Sequence, residues 1–182
     1  MDNVKLYTLA VLVDNEAGVL SQVSRLFSRK GYNIESLAVG PTDQPKVSRM
    51  TIEIYGDMAT VEFICNQLRK LVPVHSAICL TDDSVRRKLT MIKVAAPDRD
   101  ARNEIIQIAN VFRANIIDIS LETLTVAVIG DDSKVDSMHD LLAEYGILEQ
   151  VQTGIIALER GIKTINDDTK EKGEFNYGKN VL

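Results

Sequence analysis

Two short stretches hold the residues whose types and spacing suit chemistry: Asp14-Asn15-Glu16-Ala17-Gly18-Val19-Leu20 and Gly31-Tyr32-Asn33-Ile34-Glu35-Ser36-Leu37. If a helix opens near Gly18, its first backbone N–H groups lack intrahelical partners and point at an incoming anion. Gly18 has no side chain, so a ligand can come close, and it accepts backbone angles that other residues resist. Asn15 and Asn33 each carry a donor and an acceptor, which suits a zwitterion. Val19, Leu20 and Ile34 can line an apolar slot, where burying a branched aliphatic group contributes about 1.5–3 kcal/mol. The chemistry this points to is capture of a free amino acid, not its transformation. The same residues also fit plainer roles. Asn15 suits a helix cap, Gly18 a turn, Asn33 a strand start, and Val19, Leu20 and Ile34 a core.

The elements that must hold these residues follow from hydrophobic periodicity. Lys5–Val13 is a near-continuous apolar strand. Val19, Leu20, Val23, Leu26 and Phe27 then recur at helical spacing, and Gly31 suits the helix end. Asn33–Val39 reads as a second strand opened by Asn33, and Gly40–Pro45 as turn chemistry. Val47–Tyr55 alternates, with Met50, Ile52 and Ile54 on one face and Thr51, Glu53 and Tyr55 on the other. A helix carrying Val61, Ile64, Cys65, Leu68 and Leu71 precedes a strand over Pro73–Leu80. The order βαββαβ is the ferredoxin-like arrangement.

The pattern then repeats. Lys88–Ala95, Asn115–Ser120, Thr123–Ile129 and Ile147–Leu158 read as strands. Asp98–Phe112 and a segment marked by Val135, Met138, Leu142 and Tyr145 read as helices. We therefore expect an α+β chain of two tandem ferredoxin-like domains, residues 1–82 and 83–162, joined near Thr81–Arg87. The second copy lacks the glycine-bearing turn. From Lys163 to Leu182 the chain is polar and suits a disordered tail belonging to neither core, or a segment that orders on a partner through Phe175 and Tyr177.

Composition narrows the function classes. Of 182 residues, 45% are hydrophobic, enough for packed cores, and the formal net charge is −5. That balance gives no electrostatic footprint for nucleic acid or an anionic membrane surface. No apolar run approaches the roughly 20 residues of a membrane span, and Met1–Lys5 does not begin a signal peptide. Cys65 and Cys79 form no C-x-x-C pair, so a reduced, cytoplasmic setting is expected. His75 and His139 fall in different domains, which argues against a histidine metal site. No phosphate-binding glycine motif occurs. Asp57 and Asp131 stand at helix starts, where the helix dipole favours them. Cys65 falls on an apolar helix face.

Asp14–Leu20 resembles the signature turn of ACT domains, the small ligand-binding modules of amino-acid metabolism. Taken in order with Phe27, Gly31–Leu37, Pro41-Thr42-Asp43 and Ser48-Arg49-Met50-Thr51, it is similar to the regulatory (small) subunits of acetolactate synthase. The resemblance reaches, less sharply, to about Gly161. Ala17 stands where many ACT domains have proline.

Several expectations follow from the resemblance alone. Asn15, Gly18 and Asn33 match positions that line a valine site between two paired ACT domains. The chain would be a non-catalytic homodimer that activates a separate catalytic subunit and confers valine feedback on branched-chain amino-acid synthesis. Thiamine diphosphate, a flavin and magnesium would belong to that subunit, with none bound by this chain. The alternative is a stand-alone amino-acid sensor serving another partner.

Overall fold

A computed structural model describes residues 4–168. Its first half runs β1 (Lys5–Asp14), α1 (Val19–Lys30), β2 (Ser36–Pro41), β3 (Val47–Gly56), α2 (Met58–Leu68) and β4 (Val74–Cys79). The sheet order is β2-β3-β1-β4 and all pairings are antiparallel. The second half repeats this with β5 (Val85–Ala95), α3 (Arg99–Val111), β6 (Asn115–Ile119), β7 (Thr123–Gly130), α4 (Asp132–Ala143) and β8 (Ile147–Gln152), in the order β6-β7-β5-β8. A short strand β9 (Ile156–Leu158) and a 3₁₀ turn (Ile165–Asp168) follow. Two βαββαβ units of an α+β fold are thus present in tandem.

Period-2 strands laid against amphipathic helices make the first two cores. Leu9, Val11 and Val13 of β1 and Met50, Ile52 and Ile54 of β3 meet Val23 and Phe27 of α1 and Ile64 and Leu68 of α2. The equivalent core of the second unit joins Ile92, Val94, Leu124, Val126 and Val128 to Ile105, Ala109, Met138 and Leu142. Asp57, Asp98 and Asp131 cap α2, α3 and α4 by accepting N–H groups at 2.7, 2.8 and 3.0 Å.

A third core differs from the sequence reading. β1 is apolar on both faces, and its second face (Ala10, Leu12) joins Ile78, Leu80, Ile155, Ala157 and Ile165. The segment after β8 therefore covers the first sheet's free face, and Thr51 and Glu53 are buried on that face. Glu53 accepts the Thr8 hydroxyl at 3.2 Å.

Three expectations are corrected. The strand expected over Ile147–Leu158 is two strands: β8 pairs with the middle of β5, and β9 with its first residues, Val85–Arg87. The chain is diverted between them at Gly154. The second strand begins at Ser36, not Asn33. The segment from Lys163 does contribute to a core, because Ile165 is buried and its carbonyl faces the Ser76 hydroxyl at 3.4 Å. Phe175 and Tyr177 lie outside the described residues. Ile165→Ala should cost about 2–5 kcal/mol, as buried aliphatic truncations do. Urea unfolding would read this as a lower midpoint, and an unchanged midpoint would mean the turn does not pack.

Candidate functional site

β1 delivers the chain into the Asn15–Gly18 turn, and the turn is held from two sides. The Asn15 N–H donates to the Lys46 carbonyl at 2.7 Å, and its side-chain amide to the Pro45 carbonyl at 3.1 Å. The Asp14 N–H donates to the Pro73 carbonyl at 2.8 Å, and its carboxylate meets His75 Nε2 at 2.6 Å. The loop between β2 and β3 and the start of β4 thus brace the turn.

Gly18 then opens α1 with φ 86°, a left-handed conformation that costs most side chains about 1–2 kcal/mol. It supplies no side-chain cap, whereas the other three helices each begin on a capping aspartate. The positive end of α1 is therefore left without an acidic side chain of its own. A β-carbon on Gly18 would meet nothing within 4 Å, so the glycine faces open space.

The apolar candidates separate. Val19 is buried in the first core, and its N–H already donates to the Glu16 carbonyl at 3.4 Å. Leu20, about 100° further round the helix, is 42% exposed beside the turn. Ile34 is partly buried against the first core. Asn33 is exposed, and its side-chain amide donates to the Glu35 carboxylate at 2.6 Å. Gly31, at φ 72°, ends α1 just before it.

These residues do not converge within one chain. α1 has 12 residues, a length of about 18 Å, with Asn15 and Gly18 at one end and Asn33 at the other. The sheet register agrees. Asp14 lies opposite Val47, whereas Ser36 lies opposite Glu53, six residues or about 20 Å along β3. Any site that uses both asparagines must take them from two chains.

Two features escaped the sequence reading. The Asp14–His75 pair joins residues 61 apart with no spacing pattern to reveal it. Arg49 extends from β3 into the space between the two units and donates to the Ala157 carbonyl at 2.7 Å. Other reactive candidates are quiet. Cys65 is buried and its thiol pKa is pushed up to about 11 by that burial, so it stays protonated and poorly nucleophilic near neutrality. Among the described residues no cluster of His, Cys, Asp and Glu can hold a metal, and no helix is long and apolar enough to cross a membrane.

Comparison with known proteins agrees with this geometry over both units. Residues 9–76 match the family model described as the AHAS small subunit-like ACT domain, and residues 87–161 match that of the small subunit of acetolactate synthase. The probable acetolactate synthase small subunit of Archaeoglobus fulgidus is 45% identical over 157 residues, 86% of this chain and 98% of that one. The small subunit from Aquifex aeolicus is 42% identical over 158 residues, 86% of this chain and 82% of its own. The crystal structure of the Thermotoga maritima small subunit superposes with a TM-score of 0.81 at 35% identity, covering 86% of this chain and 98% of that one. With both units matched in order, and relatives this similar aligned along nearly their whole length, the chain belongs to the acetolactate synthase small-subunit family.

Proposed function

We propose that this protein is the regulatory subunit of an acetolactate synthase: it binds a catalytic subunit, raises its activity and makes it sensitive to valine. The observation that carries the reading is the start of α1, where Gly18 leaves a braced, uncapped helix terminus facing open space. The valine carboxylate would sit at these N–H groups, and Leu20 and Ile34 would flank its side chain. Coupling between such an effector and the active site is typically worth about 1–3 kcal/mol. In this reading thiamine diphosphate, a flavin and magnesium are held by the catalytic partner.

The distance between Asn15 and Asn33 makes the site depend on a homodimer. β2 is an edge strand, and an open edge is a template for a second copy. Two-fold antiparallel pairing of β2 with β2 sets the Ser36 end of one chain beside the Pro41 end of the other. Pro41 lies opposite Ser48, one step from the level of Asp14, so Asn33 of one chain comes level with the partner's turn. Two equivalent sites result.

The test is reconstitution. Purified alone, the protein should not condense pyruvate. Added to its cognate catalytic subunit, it should increase turnover and confer valine inhibition. A catalytic subunit equally active and equally valine-sensitive without it would refute the proposal. Analytical ultracentrifugation should show a dimer, and a monomer with and without valine would remove the shared site.

A further inference from the structure

The motif Ser48-Arg49-Met50-Thr51 takes no part in the α1 turn, and Arg49 marks a different place. Its side chain reaches a groove of about 450 Å³ between the two units, bounded by β2, β3, the start of β5 and β9. The groove is open on one side and roomy enough to hold a small molecule. One wall is a face of the β5–β9 ribbon. Val85 lies opposite Leu158 and Arg87 opposite Ile156, and residues directly opposite share a face. Ile156 and Leu158 are 62% and 61% exposed. The polar lining consists of Arg49, Arg87 and Thr51, and no acidic side chain takes part. In a chain of net charge −5, a groove whose charged side chains are all cationic is a local exception.

Arg49 is short of partners for a half-buried guanidinium. Its hydrogen bond to the Ala157 carbonyl uses one of five N–H donors. Among the described residues no carboxylate lies within ion-pair distance of it. The charge acting on it is that of Glu159, whose two oxygens are taken by the Thr81 N–H at 2.9 Å and hydroxyl at 2.6 Å. Burial pulls the Arg49 pKa down against the pull of Glu159, the mark of a cation paid for by desolvation and not fully compensated.

We propose that this groove is a second ligand site, for a small apolar monocarboxylate without a free amine, its carboxylate on Arg49 and its apolar body against Val85, Ile156 and Leu158. Arg49 can meet a carboxylate with a paired fork of N–H donors, and exposed Arg87 adds positive field. An amino acid fits less well, because the groove has no acidic side chain for its ammonium. The site shares no residue with the α1 turn, so the two can be tested separately.

Isothermal titration of the full chain with isovalerate and α-ketoisocaproate should show saturable binding of one molecule per chain, and leucine should bind more weakly. Arg49→Gln keeps a donor for Ala157 but removes the charge, and should weaken binding about tenfold or more. Ile156→Glu places a carboxylate on an exposed wall position and should abolish binding without lowering the melting temperature. It decides the matter if Arg49→Gln folds poorly. Gly18→Asp should leave this binding intact. The proposal is overturned if the wild type binds neither acid, if binding survives Ile156→Glu, or if Gly18→Asp removes it. It is equally overturned if neither acid binds and Ile156→Glu instead weakens association with the catalytic subunit, since the groove would then be a protein interface.

Discussion

Gly154→Ala is expected to loosen the two units from each other and to lower the melting temperature by about 4–10 °C. A β-carbon at this position would overlap the Leu37 carbonyl oxygen and carbon and stand 2.8 Å from the Ala38 nitrogen. All three atoms are backbone of β2, so no side chain can swing aside. Either β2 bends or the chain between β8 and β9 lifts. Lifting it removes the hydrogen bond from the Ile155 N–H to the Ser36 hydroxyl at 3.0 Å and draws Ile155 and Ala157 from the third core. Overpacking costs about 1–3 kcal/mol, and backbone against backbone belongs at the upper end. Calorimetric melting combined with limited proteolysis in the Thr81–Ser84 connection would show the change. Wild-type melting and wild-type protease resistance would mean that the close approach at Leu37 does not exist.

Gly18→Asp has the largest expected effect on regulation. With nothing within 4 Å of a β-carbon, the protein should tolerate the side chain at the cost of the left-handed backbone alone. The new carboxylate would stand where the effector's own carboxylate is proposed to bind. Two such charges about 4 Å apart repel by about 1 kcal/mol in water and by more where solvent is excluded. The reconstituted complex should keep its activation and become resistant to valine. Asn33→Ala should act in the same direction through the loss of a hydrogen bond to a charged group, worth about 1.5–3 kcal/mol. Valine titrations of complex activity, with calorimetry on the isolated subunit, are the measurements. Undiminished valine affinity in a well-folded Gly18→Asp dimer would place the effector elsewhere.

The two βαββαβ units were readable because their strands alternate and their helices keep a 3.6-residue period, as Met50–Ile54 and Val135–Leu142 illustrate. The uncapped start of α1 was likewise visible as a glycine where the other helices carry aspartate. What could not be read came from contacts distant in sequence. β1's second apolar face announced a cover, but the cover is built from Ile155, Ala157 and Ile165, well over a hundred residues on. The short polar segment after Lys163 gave no periodic sign that one isoleucine would be buried. Asn33 looked like a strand opener because its bond to Glu35, made in the irregular segment before β2, depends on side-chain geometry and not on pattern. Val19 and Leu20 differed for a helical reason: adjacent positions cannot both face the sheet.

The third core also has a consequence for the order in which the protein is made. Ala10, Leu12, Ile78 and Leu80 all belong to the first half of the chain, whereas the residues that cover them come from the last part of the described segment. During synthesis, which proceeds from the N-terminus, the first unit can complete its helix-covered core while its opposite face is still bare. Until Ile155 to Ile165 leave the ribosome, the nascent protein carries a patch of apolar sheet that these residues later shield. A ribosome stalled after residue 150 would therefore hold a folded but sticky half, and the emergence of residues 155–165 is what renders it safe.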